Sequence, residues 1–129
     1  MITGIHHVSM KCDSMDEFLK EKSFYCDLLG LTVKREWNEG IMIDTGNGLI
    51  EIFHNGTGTR SIGAVRHFAL ASDNVDEDIV KIRNAGYEVF IEPKDIVIQS
   101  DPPFPARIAF CRGPLNEEIE LFQEKQNDL

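Results

Sequence analysis

Hydrophobic and polar residues alternate near the start of the chain, over residues 5–12. Val8 and Met10 fall on one side of this alternation, and His7 and Lys11 fall on the other. Side chains of a strand point alternately to its two faces, so the pattern predicts a β-strand with one core face and one polar face. His7 is predicted to lie on the polar face.

Residues 65–77 repeat the pattern of residues 5–17. The two copies read IHHVSMKCDSMDE and VRHFALASDNVDE, and they place His7 and His67 in equivalent positions. The chain therefore contains a duplicated module whose first strand carries a histidine opposite the main apolar packing.

A helix is predicted after each of these strands, because each copy has an N-cap residue followed three positions later by a carboxylate. The two cap pairs are Ser14 with Glu17 and Asn74 with Glu77. Gly30 and Gly86 lie where helices commonly end. The distance from cap to glycine predicts a first helix about one turn longer than the second.

Three further strands are predicted in each copy. They fall near residues 31–36, 40–45 and 49–54 in the first copy, and near 87–91, 107–112 and 117–123 in the second. Each module is then β-α-β-β-β, and the fold class is α+β. We expect one domain over residues 1–129, with module one at about 1–55, module two at about 64–125, and a Gly- and Thr-rich linker between them.

Residues 92–106, EPKDIVIQSDPPFPA, are predicted to be the longest irregular segment. Their prolines argue against a central strand, since proline lacks the N–H that a sheet ladder needs. Such a segment is either an ordinary surface loop or a cover over a site.

Composition narrows the function. The formal net charge of −9 over 129 residues argues against nucleic acid and against an anionic membrane surface as partners, and it is compatible with a cationic ligand. Three cysteines without framework spacing fit free thiols in a reducing cytoplasm. The first residues lack the pattern of a signal peptide, and no apolar run reaches the length of a membrane span.

Each module also carries one glutamate inside an apolar strand, Glu51 in LIEIF and Glu120 in EIELF. Burying a carboxylate is costly unless a cation, a metal or a proton accompanies it. The alternative is two strand histidines and two edge-strand glutamates that face water. Because the combination occurs twice, we favour convergence of the two His–Glu pairs, His7 with Glu51 and His67 with Glu120, on one divalent ion.

Two imidazoles and two carboxylates are chemically reasonable ligands for Ni, Co, Zn, Mn or Fe(II), and they leave room for water or substrate. Ligand softness does not choose among these metals, of which we expect Ni, Co or Zn. His6 and His54 fall on the other faces of their strands and are interpreted as structural or surface residues. Cys12 and Cys111 lack ligand spacing and are not expected to bind the metal.

Five motifs in this order resemble the vicinal oxygen chelate superfamily, also called the glyoxalase/bleomycin-resistance/dioxygenase superfamily, over essentially the whole chain. They are IHHVSMKCD, FYCDLLGL, LIEIF, VRHFALASD and EIELF. The resemblance implies two βαβββ modules whose mostly antiparallel sheets form a cup around a metal site.

Within this superfamily the chain is most similar to the short bacterial glyoxalase I group. That resemblance implies four metal ligands, His7, Glu51, His67 and Glu120. It also implies that Asn55 and Lys11 contact the substrate. Lys11 replaces the arginine usual in that group and lacks its bidentate fork. The counterpart of a second glutathione-binding arginine is missing, since Gly63 occupies its place.

The resemblance further implies a metal-dependent lyase or isomerase that converts a hemithioacetal to a hydroxyacyl thioester. The metal stabilises an enediolate while Glu120, or Glu51 by pseudo-symmetry, moves a proton between adjacent carbons. The alternatives are a methylmalonyl-CoA-type epimerase and a non-catalytic drug-binding protein on the same fold. A homodimer is expected, with each metal site held by one chain or shared between two. Phe53, Phe104 and Phe122 either line the substrate pocket or pack in the ordinary way.

Overall fold

The computed structural model describes residues 1, 3–58 and 63–125, and the chain divides into two compact units, Met1–Ser61 and Ile62–Leu129. The described residues of each unit form one strand, a helical region and three further strands, in that order. The predicted α+β class and the duplicated β-α-β-β-β module are confirmed. Part of the predicted linker, residues 59–62, lies outside the described residues.

The first unit is a four-stranded mixed sheet with a helix after its first strand. Its elements are β1 (His7–Lys11), α1 (Met15–Lys22), a π-helical segment (Ser23–Leu28), β2 (Thr32–Trp37), β3 (Gly40–Asp44) and β4 (Leu49–Phe53). The strand order is β1-β4-β3-β2. β1 pairs with β4 in parallel, and the other two pairs are antiparallel.

The second unit repeats this topology. Its elements are β5 (Phe68–Ala71), α2 (Val75–Asn84), β6 (Val89–Ile98), β7 (Phe104–Arg112) and β8 (Glu118–Glu124). The strand order is β5-β8-β7-β6, and β5 pairs with β8 in parallel. Both sheets therefore place the first and last strands of their unit side by side.

Both predicted helix caps form. The Ser14 hydroxyl accepts a hydrogen bond from the Glu17 N–H at 3.2 Å, and the Asn74 side chain accepts one from the Glu77 N–H at 3.1 Å. These bonds satisfy N–H groups that the first turn of a helix leaves without intrahelical partners. The first helical region is the longer one, as predicted, because the π-helical segment continues α1 to Leu28.

One face of each sheet packs beneath its own helix and forms a core. In the first unit, Ile50 and Ile52 of β4 are buried. In the second unit, Ile119 and Leu121 of β8 are buried, and α2 buries Ile79. Because side chains alternate along a strand, the residues between these core positions lie on the opposite face. The opposite face of the first sheet carries Glu51, and the opposite face of the second sheet carries Glu120.

The prediction that residues 92–106 are irregular is wrong. Most of them belong to β6 and β7, and only residues 99–103 connect the two strands. Pro93 is tolerated because β6 is an edge strand and its register shifts between Ile91 and Lys94, around the proline. Pro105 is tolerated as the second residue of β7, near the strand's start.

Candidate functional site

His7 and Glu51 lie on the same face of the first sheet, where β1 and β4 run in parallel. Ser9 is the register partner of Glu51, and His7 lies two residues before Ser9 on the same face. The Nε2 atom of His7 is 3.5 Å from the Oε1 atom of Glu51. The fold of one unit is therefore enough to bring the first predicted His–Glu pair together.

His67 and Glu120 form the equivalent pair in the second unit. His67 directly precedes β5, and Ala69 is the register partner of Glu120. The Nε2 atom of His67 is 3.3 Å from the Oε1 atom of Glu120. Both predicted pairs thus form through the same parallel strand pairing, which follows from the duplicated topology.

The two members of each pair differ in exposure. The side chains of Glu51 and Glu120 are only 11% and 13% exposed, whereas those of His7 and His67 are 36% and 40% exposed. Each carboxylate is therefore nearly buried against its sheet, and the imidazole beside it is partly exposed to solvent. A carboxylate with so little access to water gains from a nearby positive charge.

The two imidazoles are held by different neighbours. The Nδ1 atoms of His6 and His7 are 2.9 Å apart, so one ring can donate a hydrogen bond to the other. His67 instead makes an edge contact with Phe110, with ring centroids 5.2 Å apart. His54 packs against the ring of Phe18, which agrees with its interpretation as a structural residue.

Lys11 and Asn55, the predicted substrate contacts, have other partners in the structure. The Lys11 ammonium lies 5.8 Å from the centroid of the Phe53 ring. The Asn55 side chain donates a hydrogen bond of 2.8 Å to Glu39. Lys11 shares the exposed face of β1 with His7, so its placement is compatible with a substrate role, which remains a prediction.

Two aromatic residues were not identified from the sequence. Phe110 is the register partner of Glu120 and contacts His67, and Trp37 packs edge-on against Phe53 at 5.7 Å. The alternation of Ile108, Phe110 and Arg112 along β7 could have shown Phe110 on the glutamate's face, but only once the β7–β8 register was known. Residue spacing alone does not give a cross-strand register.

The separations within the pairs fit donors of one metal ion. Two donors bound at about 2.1 Å lie about 3.0 Å apart at a right angle and about 3.4 Å apart at a tetrahedral angle. The observed 3.5 Å and 3.3 Å are near these values and exceed the usual length of an N–H···O hydrogen bond. Within either unit, the described residues bring no three His, Cys, Asp or Glu side chains together as a metal cluster.

The buried Cys111 is a poor candidate for a further metal ligand beside either His–Glu pair. Burial raises the pKa of the Cys111 thiol to about 12, with the charge of Glu117 adding to the effect. A metal binds the thiolate form, so a thiol that stays protonated at neutral pH is a poor ligand. This agrees with the exclusion of Cys111 from the predicted ligand set.

Among the described residues, no helix combines the length and apolar character needed to cross a membrane.

Comparison with known proteins agrees with the fold. A curated relative named "Probable lactoylglutathione lyase", from Synechocystis sp., is 29% identical over 91% of this chain and 92% of its own length. A glyoxalase I variant from Zea mays superposes with a TM-score of 0.74 at 21% identity, covering 95% of this chain and 45% of that chain. A lactoylglutathione lyase from Agrobacterium tumefaciens has a TM-score of 0.64 at 16% identity, covering 95% of each chain.

A family model described as Glyoxalase/Bleomycin resistance protein/Dioxygenase superfamily matches residues 4–101. The duplicated βαβββ topology and the two His–Glu pairs are consistent with that match. The chain therefore belongs to the glyoxalase/bleomycin resistance protein/dioxygenase superfamily.

Proposed function

We propose that this protein is a divalent-metal-dependent lyase or isomerase of the glyoxalase type, which converts a hemithioacetal to a hydroxyacyl thioester. The observation that carries the proposal is the repetition of one His–Glu pair, with nearly equal separations, in both units. A binding protein would have no need for two nearly buried carboxylates, each beside an imidazole. A relative named for lactoylglutathione lyase activity supports the same class of reaction.

In this proposal His7, Glu51, His67 and Glu120 together hold one divalent ion, with Ni, Co or Zn favoured over Mn and Fe. The four ligands come from one chain or from the two chains of a homodimer. When bound, the ion supplies positive charge that polarises adjacent oxygens of a substrate. Each imidazole contributes Nε2, the nitrogen that lies nearest the glutamate of its pair.

Glu120 is proposed as the base. Its carboxylate takes the hydrogen from the hemithioacetal carbon as a proton and returns it to the adjacent carbonyl carbon. The hydroxyl oxygen on the first carbon gives up its proton and becomes the thioester carbonyl oxygen. The former carbonyl oxygen takes up one proton and becomes the product hydroxyl, so the protons balance and no other reactant is needed. The low exposure of Glu120 limits exchange of this proton with water. Glu51, in the equivalent position, is the second candidate.

Lys11 and Asn55 are proposed to contact the substrate where it lies over the first unit. Lys11 lies on the face that carries His7, and its ammonium is held near the ring of Phe53. Asn55 would have to exchange its bond to Glu39 for a bond to substrate. Both are modest contacts, since neither has the two-pronged donor geometry of arginine.

The proposal is tested by metal binding and turnover in the same preparation. We expect one divalent ion per site by elemental analysis. We expect weaker binding of that ion in His7→Ala and in His67→Ala, and conversion of methylglyoxal with a thiol to a hydroxyacyl thioester. Proton exchange or racemisation of an acyl-CoA, without thioester formation, would assign the epimerase reaction instead. Full metal affinity in both histidine variants would contradict the proposed ligand set.

A further inference from the structure

A cavity of about 510 Å³ opens on the second unit, beside the strand that carries Glu120. Its walls include Ala69, Ala71 and Phe122. Ala69 is the register partner of Glu120, and Ala71 is the register partner of Phe122, so the cavity starts next to the proposed base and runs along β5 and β8. Its apolar lining is formed by the two alanines and by the Phe122 ring, which is stacked against the ring of Phe104 with centroids 6.0 Å apart.

The same place in the first unit is occupied by the protein itself. Lys11 has the position after His7 that Ala71 has after His67, and Phe53 follows Glu51 as Phe122 follows Glu120. In the first unit the Lys11 ammonium lies 5.8 Å from the Phe53 ring centroid, a cation–π arrangement. In the second unit alanine replaces the lysine and the ring of Phe122 lines a cavity. Among residues 63–125 no lysine or arginine makes a cation–π contact with that ring.

The rim of the cavity is acidic. Asp73 and Glu124 line it, and both are exposed. Glu124 corresponds to Asn55 of the first unit, so the second unit has a carboxylate where the first unit has a neutral amide. Within the described range 63–125, neither carboxylate is paired with a lysine or an arginine. The adjacent Lys125 is engaged with Asp95 at 2.8 Å.

Two further wall residues are fixed by the start of α2. The Gln123 side chain accepts a hydrogen bond of 3.0 Å from the Val75 N–H, and the Ser72 hydroxyl donates one of 2.6 Å to Asp78. The start of α2 is not an anion site, because its first turn already carries three carboxylates, those of Asp76, Glu77 and Asp78. The cavity therefore combines a fixed polar wall, an aromatic surface and two exposed carboxylates without an ion pair to residues 63–125.

We propose that this cavity binds an organic cation, an ammonium group on a short alkyl chain, and that this group belongs to the substrate that Glu120 acts on. The bound ammonium takes the place near Phe122 that Lys11 takes near Phe53, with Asp73 and Glu124 at the rim. Aromatic faces and nearby carboxylates both favour quaternary or primary ammonium groups. The assignment to the substrate rests on the proposed function, whereas the assignment of the binding site does not.

Binding is tested on the full chain with choline and its uncharged isostere, 3,3-dimethylbutan-1-ol, by following backbone amide signals in nitrogen-15 NMR titrations. We expect choline to shift the signals of Ala69, Ala71 and Ser72, and to bind about 5-fold more tightly than the alcohol. Equal binding of the two probes, or binding of neither, would overturn the cation site.

Ala71→Lys is the decisive variant, because it gives the second unit the residue that the first unit has. We expect it to fold normally, since Ala71 is exposed, and to lose choline binding by about 10-fold or more. Asp73→Asn and Glu124→Gln should each weaken choline binding about 2- to 3-fold, whereas Asp101→Asn, with the same change in net charge, should not. Unchanged choline binding in Ala71→Lys would contradict the proposed location.

Turnover then tests the link to the substrate. Hemithioacetals of methylglyoxal are compared with thiocholine, which is cationic, and with 3-mercaptopropionate, which is anionic. We expect kcat/KM about 5-fold higher for the cationic adduct, and we expect Ala71→Lys to remove the preference. If neither adduct reacts, the proposed function fails, and the choline titration still tests whether the cavity binds a cation. If both react equally, the cation belongs to another ligand and the substrate assignment is overturned.

Discussion

The two units share a topology and a His–Glu pair, but the space next to that pair is filled by a side chain in the first unit and is open in the second. The first unit places its own Lys11 over Phe53, whereas the second has Ala71 and leaves a cavity along Phe122. The residues of the pairs are the same in both copies, and the residues that differ, Lys11 and Ala71, lie four positions after the histidines. In the proposed function, the paired donors serve a common purpose, and the neighbouring positions contact two different parts of one substrate.

A second difference concerns what supports each imidazole. His7 has a polar neighbour in His6, whereas His67 rests against the edge of Phe110. A metal-bound histidine is usually oriented by a hydrogen bond at its other ring nitrogen. The first unit has such a bond available and the second relies on packing, so equivalent substitutions in the two units should have unequal effects.

The largest contrast is expected between the two glutamates. Glu120→Gln should lower kcat by about 100-fold or more, because an amide is unable to accept the proton, whereas Glu51→Gln should act mainly through weaker metal binding. The measurement is kcat at saturating metal for both variants, with metal content checked in each sample. Turnover by Glu120→Gln close to that of the wild type would transfer the role of base to another residue.

Equivalent core substitutions test whether the two sheets are equally stable. Ile50 and Ile119 each precede the glutamate of their unit and are 2% and 0% exposed. We expect Ile50→Ala and Ile119→Ala each to lower the free energy of unfolding by about 2–5 kcal/mol, because each leaves a cavity in a packed core. Urea denaturation measures both. A loss below about 1 kcal/mol in one variant would show that its unit repacks and that the units differ in their cores.

A smaller effect is expected from the neighbour of His7. His6→Ala removes the hydrogen-bond partner at Nδ1 and should weaken metal binding about 10-fold, with the fold retained because His6 is exposed. Arg66→Ala alters the equivalent position in the second unit and serves as the matched control. Metal affinity is measured by calorimetric titration. Equal affinities in His6→Ala and Arg66→Ala would contradict a special role of His6 in orienting His7.

The smallest effect concerns an ionic cluster of the second unit. The hydrogen bond from Arg107 holds the pKa of Asp76 below its ordinary value, and Lys125 and Arg107 together lower the pKa of Asp95. A depressed carboxyl pKa contributes stability above the ordinary aspartate pKa and loses it as the pH falls through the depressed value. The cluster should therefore stabilise the fold at neutral pH and stop doing so in acid.

Asp76→Asn should accordingly lower Tm slightly at neutral pH, with the difference from wild type disappearing in strong acid. The matched control is Asp16→Asn in the first unit, where the described residues provide no arginine partner. Thermal unfolding followed across the acid range measures both. A difference that persists at the lowest pH would mean that the Asp76 side chain acts through something other than its charge.

Much of the fold follows from sequence patterns that depend on nearby residues. The alternation around Val8 and the caps at Ser14 and Asn74 predicted the first strand and both helix starts, because capping and strand periodicity are local properties. The segment 92–106 was misjudged, because an edge position and a register shift make Pro93 acceptable within β6. Edge position is a property of the whole sheet and is absent from local sequence.

In the candidate site, too, some features follow from the sequence and others depend on the packed structure. Each His–Glu pair was predictable from the repeat, because equivalent strands with equivalent polar positions must pair in equivalent ways. The cavity along Phe122 was not, although the exchange of Lys11 for Ala71 is visible in the sequence. A missing side chain becomes a cavity only where the packing around it is fixed, as Gln123 and Ser72 are here by their bonds to α2.

The proposed function requires that His7, Glu51, His67 and Glu120 bind a single divalent ion. The most direct measurement is a crystal structure of the metal-loaded protein with anomalous diffraction recorded at the absorption edge of the metal. We expect one anomalous peak per site, ligated by Nε2 of both histidines and by both carboxylates, drawn from one chain or from two. A peak bound elsewhere, or separate ions on the two His–Glu pairs, would contradict it.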